Sequence, residues 1–167
     1  DSNYKPETEL KTAFITEHDN WQVLFPEKIS LIRNKVKEFF KKRHRCFALF
    51  DTDNNIIGAI WFGFKKEDYD LFTKKKKNIE IKESEFAFVY LIKIRPSMKG
   101  KGYGSYLISE FLDTLKAEEK IKFVTCRVHV ENYSSIAVHL KFGYQLFGIR
   151  CYKMILMRNK TIESIFK

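Results

Sequence analysis

The hydrophobic period changes twice between Glu85 and Val130, and that change limits the possible folds more than any other feature of the chain. Residues Glu85 to Ile94 are rich in aromatic and β-branched side chains, too short for a typical helix, and stopped by Pro96, which reads as a largely buried strand. A glycine-bearing loop follows. Leu107, Ile108, Phe111, Leu112 and Leu115 then fall on one helical stripe, and Phe123 to Val130 returns to strand character. A strand, loop, helix and strand in that order form a crossover, which joins parallel strands and is right-handed. The strand ending at Ile94 and the one beginning at Phe123 are therefore expected to be parallel neighbours.

The flanking regions are read around this unit. Pro26 suits a first helical position, and Ile29, Ile32, Val36, Phe39 and Phe40 recur on one helical face as far as the basic run near Arg43. Cys46 to Phe50 and Ile56 to Phe64 read as a hairpin turned by the Asp and Asn residues of 51–55. Lys65 to Lys82 is polar and lysine-rich, with Tyr69, Leu71 and Phe72 as apolar anchors, and reads as a loop holding a short helix. Ser134 or Ser135 is a candidate cap for a short helix to Phe142, with Gly143 suited to the left-handed position after it. Tyr144 to Arg150 and Cys151 to Met157 look like closing strands.

With 167 residues and 44% hydrophobic content, a single compact domain over 1–167 is expected. No run of about 18 uncharged apolar residues occurs, and no secretory leader is recognisable, so a soluble, cytoplasmic protein without a membrane partner is the expectation. Cys46, Cys126 and Cys151 are odd in number and widely spaced in apolar surroundings, which fits reduced core thiols better than disulfides or a metal site. The net charge of +10 favours anionic partners such as phosphate-rich cofactors. The densest basic runs, Lys41 to Arg45 and Lys74 to Lys77, lack the interleaved aromatics of a single-strand stacking surface, and nucleic acid is not an expected partner.

Lys99-Gly100-Lys101-Gly102-Tyr103-Gly104 lies where a strand hands over to a helix, so backbone N–H groups and the helix N-terminus can hold an anion there. Glycines permit positive φ and close approach, and Lys99 and Lys101 add charge suited to a pyrophosphate. A Walker loop is absent, and the spacing of a dinucleotide fingerprint is not met because Tyr106 and Leu107 follow Gly104. An ordinary tight turn remains the alternative for this loop taken alone.

A second motif follows the next strand in order: Asn132-Tyr133-Ser134-Ser135-Ile136-Ala137-Val138-His139-Leu140-Lys141-Phe142-Gly143-Tyr144. Together the two motifs resemble the GNAT superfamily of acetyltransferases. The first is similar to that family's Arg/Gln-x-x-Gly-x-Gly/Ala loop after a Leu-x-Val-x-Pro pattern, matched here by Ile92, Ile94 and Pro96. The second is similar to Asn-x-x-Ala/Ser-x-x-x-Tyr-x-Lys-x-Gly-Phe. The resemblance implies a mixed α/β (α+β) fold: a mostly antiparallel, twisted sheet with a central, splayed parallel pair and flanking helices. It also implies acetyl-CoA as cosubstrate, with the backbone of Ile92 and Ile94 along the pantetheine arm. Lys99, Gly100, Lys101, Gly102, Tyr103, Gly104 and Ser105 would hold the pyrophosphate, and Asn132 would contact the arm. No metal is implied.

Acetyl transfer by direct attack needs a neutral amine, oxyanion stabilisation and a fate for the leaving thiolate. Where the family most often carries a Tyr as general acid, this sequence has His139, whose imidazolium could serve; a merely packed His139 is the alternative. The strand from Phe123 alternates, with Thr125, Arg127, His129 and Glu131 on one face. Arg127 stands where N-terminal acetyltransferases of the family commonly place a base, and it cannot be one. It is a candidate for a substrate carboxylate, with His129 as the base two residues on; an ion pair, for instance with Glu131, is the alternative. Tyr90 and Glu85 are weaker base candidates. The expected function is N-acetylation of a primary amine on a small or amino-acid-like molecule by a monomer or homodimer. The alternatives are a protein or peptide N-acetyltransferase and a non-catalytic module binding CoA or RNA.

Overall fold

The computed structural model describes residues 9–25, 29–76, 80–153 and 158–166, with only the backbone described for 29–31, 149–153 and 158–166. The elements are β1 (Lys11–Ile15), α1 (Ile29–Lys41), β2 (Arg45–Phe50), β3 (Ile56–Gly63), α2 (Lys66–Lys75), β4 (Phe86–Ile94), α3 (Tyr103–Ala117), β5 (Phe123–His129), α4 (Tyr133–Lys141), β6 (Gln145–Lys153) and β7 (Arg158–Phe166). The fold is mixed α/β. It divides into two compact units, 1–63 with 91–114 and 64–90 with 115–167, so β4 runs from the second into the first.

In the first unit the strand order is β1-β2-β3 followed by the last residues of β4. β2 and β3 form the expected antiparallel hairpin, with Arg45 opposite Phe62. Asp51 makes the turn, its Oδ1 accepting the N–H groups of Asp53 at 3.1 Å and Asn55 at 2.8 Å. Seven of the eight residues of β3 are buried, because both of its faces are covered. Val36 and Phe39 turn inward from α1, and Phe47, Trp61, Phe62, Leu107 and Phe111 build the core. Phe111 packs edge-on against Phe62 with ring centroids 4.8 Å apart, a geometry aromatic rings favour. β1, which the sequence did not signal, adds an antiparallel edge with Ile15 opposite Cys46. A 3-10 turn at Trp21–Leu24 then buries Trp21 and Leu24.

In the second unit the order is β4-β5-β7-β6. β4 and β5 are parallel, as the crossover required, but pair only from Phe86↔Phe123 to Val89↔Cys126, although both strands continue. β5–β7 and β6–β7 are antiparallel. The closing strands differ in extent from the expected ones: Cys151 to Lys153 belong to β6, β7 begins at Arg158, and 154–157 lie outside the described residues. The lysine-rich stretch holds a helix of nearly three turns, α2. Acidic Glu67 and Asp68 lie in its first turn and Lys74 and Lys75 in its last, matching the helix dipole. Phe72 anchors it in a cluster with Ile81, Phe86, Phe88 and Phe123, and the Tyr69 hydroxyl donates to the Ile81 carbonyl at 2.7 Å.

Among the described residues no helix is long and apolar enough to cross a membrane. Cys46 and Cys126 are buried thiols, and burial pushes Cys46 far above the ordinary range. The side chain of Cys151 lies outside the described residues.

Candidate functional site

In the first unit β4 delivers Ile92 and Ile94, half-buried, to a bend at Arg95, whose N–H donates to the Ile57 carbonyl at 2.8 Å. Lys99 and Lys101 are exposed, and Gly100 and Gly102 have φ of 77° and 78°. Side chains at those positions would be strained, so the glycines are what lets the chain turn from β4 into α3 here. The first helical bond of α3 runs from the Tyr106 N–H to the Gly102 carbonyl, which leaves the N–H groups of Tyr103, Gly104 and Ser105 ahead of it without intrahelical acceptors. A Cβ at Gly100 would meet nothing within 4 Å. One stretch of chain thus combines open space, unspent donors, a helix N-terminus and two cations, and this donor set fits a pyrophosphate.

Gly58 escaped the sequence reading. A Cβ there would stand 2.5 Å from Ile94 Cδ1 and 3.3 Å from the Lys93 carbonyl oxygen. β3 and the end of β4 approach so closely that any side chain at this position must displace Ile94. A lone glycine inside a strand pattern was the available signal.

In the second unit Asn132 follows β5 directly, its N–H donating to the His129 carbonyl at 2.9 Å. Asn132, rather than Ser134 or Ser135, is the N-cap of α4: its Oδ1 accepts the Ser135 N–H at 3.2 Å and the Ser134 hydroxyl at 3.1 Å. The residue needed outside the helix is the one whose carbonyl-bearing side chain can fold back onto the first turn. Gly143 takes the left-handed position as expected, with φ of 82°.

His139 is 3% exposed, and its Nδ1 lies 2.6 Å from the Ser135 carbonyl. A carbonyl only accepts, so Nδ1 carries the hydrogen; in the neutral ring Nε2 then carries a lone pair, which meets no hydrogen-bond partner among the described residues. Burial pushes its pKa down, outweighing the Ser135 bond that pushes it up. An imidazolium is what this environment opposes. The ring packs edge-on against Tyr144, centroids 4.8 Å apart, and burial raises the Tyr144 pKa well above the usual range.

On β5 Arg127 Nη2 is 2.6 Å from Asp68 Oδ1, and Lys65 Nζ is 2.9 Å from Asp68 Oδ2. A carboxylate of the chain's own, contributed by α2, thus pairs with Arg127. Asp68 was missed because it lies in a segment read as a loop with a short helix, whose packing partners the sequence does not give. His129 is exposed; its Nδ1 is 3.4 Å from the Glu131 N–H and 3.8 Å from the Glu131 carboxylate. The weaker base candidates are both committed. Glu85 pairs with Lys122 at 2.5 Å and accepts the Lys82 N–H. The Tyr90 hydroxyl donates to the Phe64 carbonyl at 2.8 Å, and burial pushes its pKa up to about 12. Among the described residues no group of three His, Cys, Asp or Glu side chains is placed to hold a metal ion.

Comparison with known proteins agrees with this architecture. Residues 9–144 match the model of the acetyltransferase (GNAT) family. The chain is 26% identical over 141 residues to the SPbeta prophage-derived uncharacterized N-acetyltransferase YokL of Bacillus subtilis, covering 84% of this chain and 70% of that one. Its fold is similar to an N-acetyltransferase from Staphylococcus aureus Mu50, at 15% identity and a TM-score of 0.66 over 95% and 98% of the two chains. It is also similar to a Bacillus subtilis acetyltransferase in complex with CoA, at 12% identity and a TM-score of 0.66 over 94% and 97%. With the family model matched from β1 to the end of the second motif, the chain belongs to the acetyltransferase (GNAT) family and is an acetyltransferase.

Proposed function

We propose that this acetyltransferase moves the acetyl group of acetyl-CoA directly onto the primary amine of a small molecule. The observation that carries the reading is the turn from β4 into α3, where Gly100 and Gly102 adopt left-handed conformations just ahead of three unspent N–H groups. Bound there, acetyl-CoA supplies an activated thioester. Lys99 to Ser105 hold its pyrophosphate, and the backbone of Ile92 and Ile94 lines its extended arm. Asn132, with Oδ1 committed to the cap, offers its amide nitrogen to the arm.

His129 takes the proton of the attacking amine, since it is the exposed imidazole on β5. His139 is assigned to hydrogen-bond acceptance at Nε2, not to acid catalysis. A leaving thiol with a pKa of about 8.5 needs no full protonation near neutral pH. Arg127, paired with Asp68, is not assigned to a substrate carboxylate.

Calorimetric titration with acetyl-CoA tests the cofactor half of this reading against Gly102→Glu, which adds bulk and negative charge to the loop. Saturable binding to the parent that the variant loses supports it; equal binding by both refutes it. Thiol release across a panel of amines tests the acceptor half. Turnover of small amines that His129→Gln abolishes without weakening acetyl-CoA binding is the expected result, and unchanged turnover in that variant removes His129 as the base.

A further inference from the structure

Acetyl transfer leaves one feature of the first unit unused. A cavity of about 520 Å³ lies between the end of β1, the loop after it and the junction of α1 with β2, lined by Phe14 to His18, Phe40, Lys41 and Arg43 to Cys46. It takes in most of the basic run 41–45. Lys41, Arg43 and Arg45 face a single acid in its lining, Glu17. Of the two histidines that line it, His44 has its pKa pushed down by burial and by Lys42.

The wall has an aromatic part as well. The Arg45 guanidinium stacks on the Phe14 ring at 4.0 Å, and Phe14, which packs edge-on against Phe47 at 5.3 Å, remains 41% exposed. A large aromatic left open to solvent beside stacked guanidinium is the surface on which a planar apolar group is bound. Lys41 reaches Glu38 at 3.5 Å, whereas among the described residues no acid pairs with Arg43. Arg43 itself sits at φ of 56° where α1 ends, its N–H donating to the Phe40 carbonyl. That position is one where Gly or Asn is ordinarily used.

The cavity is separate from the cofactor loop. Arg45 in its lining pairs with Phe62 at one end of β3, whereas the cofactor strand is tied to Ile57 near the other. Five residues of strand separate those points, roughly 17 Å. We propose that this cavity is a second ligand site, one that takes a small oxyanion, a carboxylate or a phosphate, carrying a planar apolar group. Arg43 meets the oxyanion and the Phe14–Arg45 stack receives the planar body.

Phenyl phosphate, benzoate and uncharged benzamide, each titrated to millimolar concentration at low salt against the intact chain, test this through backbone amide chemical shifts. Saturable shifts at residues 14–18 and 40–46 with either anion, without movement at 99–105, are expected. The tighter of the two identifies the oxyanion as phosphate or carboxylate. Arg43→Asn removes the charge yet tolerates the left-handed backbone, so its melting temperature should equal or exceed the parent's while anion affinity falls about tenfold or more. Equal shifts with benzamide, undiminished binding to Arg43→Asn, or no saturable shift at those residues with either anion would overturn the proposal.

Discussion

Gly58→Ala measures how tightly β3 and the end of β4 are fitted. The new Cβ would lie 2.5 Å from Ile94 Cδ1, 3.2 Å from Leu107 Cδ2 and 3.3 Å from the Lys93 carbonyl oxygen. Carbon atoms rest about 3.5–4.0 Å apart, so the overlap with Ile94 is about 1 Å. The Ile94 ethyl group can turn away, but Leu107 is fully buried and the Lys93 oxygen is backbone, so part of the strain stays. Overpacking of this kind costs about 1–3 kcal/mol, partly offset by about 0.4–1 kcal/mol because alanine restricts the unfolded chain. A net loss of about 1–2 kcal/mol corresponds to a fall in Tm of roughly 2–8 °C for a chain of this length. Thermal denaturation checks the fall, and the double variant Gly58→Ala/Ile94→Val checks its cause. Ile94→Val alone should cost about 0.5–1.5 kcal/mol, but in the alanine background it removes the clashing atom, so the double variant should be more stable than the sum by about 1 kcal/mol. Additivity, or a Gly58→Ala chain as stable as the parent, would refute the reasoning.

Other perturbations have defined outcomes. Asn132→Ala removes the cap of α4 and should cost about 1 kcal/mol in chemical denaturation, while Asn132→Asp, which can still accept the Ser135 N–H, should cost less. Asp68→Ala takes a paired carboxylate from the inward-facing guanidinium of Arg127 and should cost about 3 kcal/mol, much of which Asp68→Ala/Arg127→Met should recover. The pKa of His139 is lower folded than unfolded, so the unfolded chain binds the proton first and stability is lost as pH falls below about 6.5. Denaturation across that range should show a weaker dependence in His139→Phe.

The residues that were legible in the sequence are those whose local chemistry and tertiary role agree. The crossover from β4 through α3 to β5 was readable because the period of the apolar residues changes cleanly at Pro96 and again at Phe123. The glycine loop was readable because only glycine turns the chain at Gly100 and Gly102. β1 was not, since just Ile15 of its five residues is buried and it gains its place from backbone pairing with β2. For α2 a short helix and its anchor Phe72 were readable but not its extent or what it packs on; what fixes it is Phe72 against Phe86 and Phe123, a contact between segments far apart in sequence. For the same reason the partner of Arg127 could not be read: the alternation of β5 gives the face of Arg127 but not that α2 brings Asp68 to it. The exchange of the expected tyrosine for His139 was visible, whereas its neutral state follows from burial, which no spacing reveals.

The placement of the two tryptophans gives the chain a built-in optical reporter with a defined field of view. Trp21 and Trp61, the two in the sequence, are both enclosed in the first unit, at 1% and 0% exposure. The second unit has tyrosine and phenylalanine alone for its aromatic core. Emission excited at the red edge of indole absorption therefore follows the melting of the first unit, while the far-ultraviolet dichroism of helices and strands follows both. Coincident transitions would mean that the chain melts as one cooperative body, and a dichroism change without a matching emission change would isolate the unfolding of the second unit.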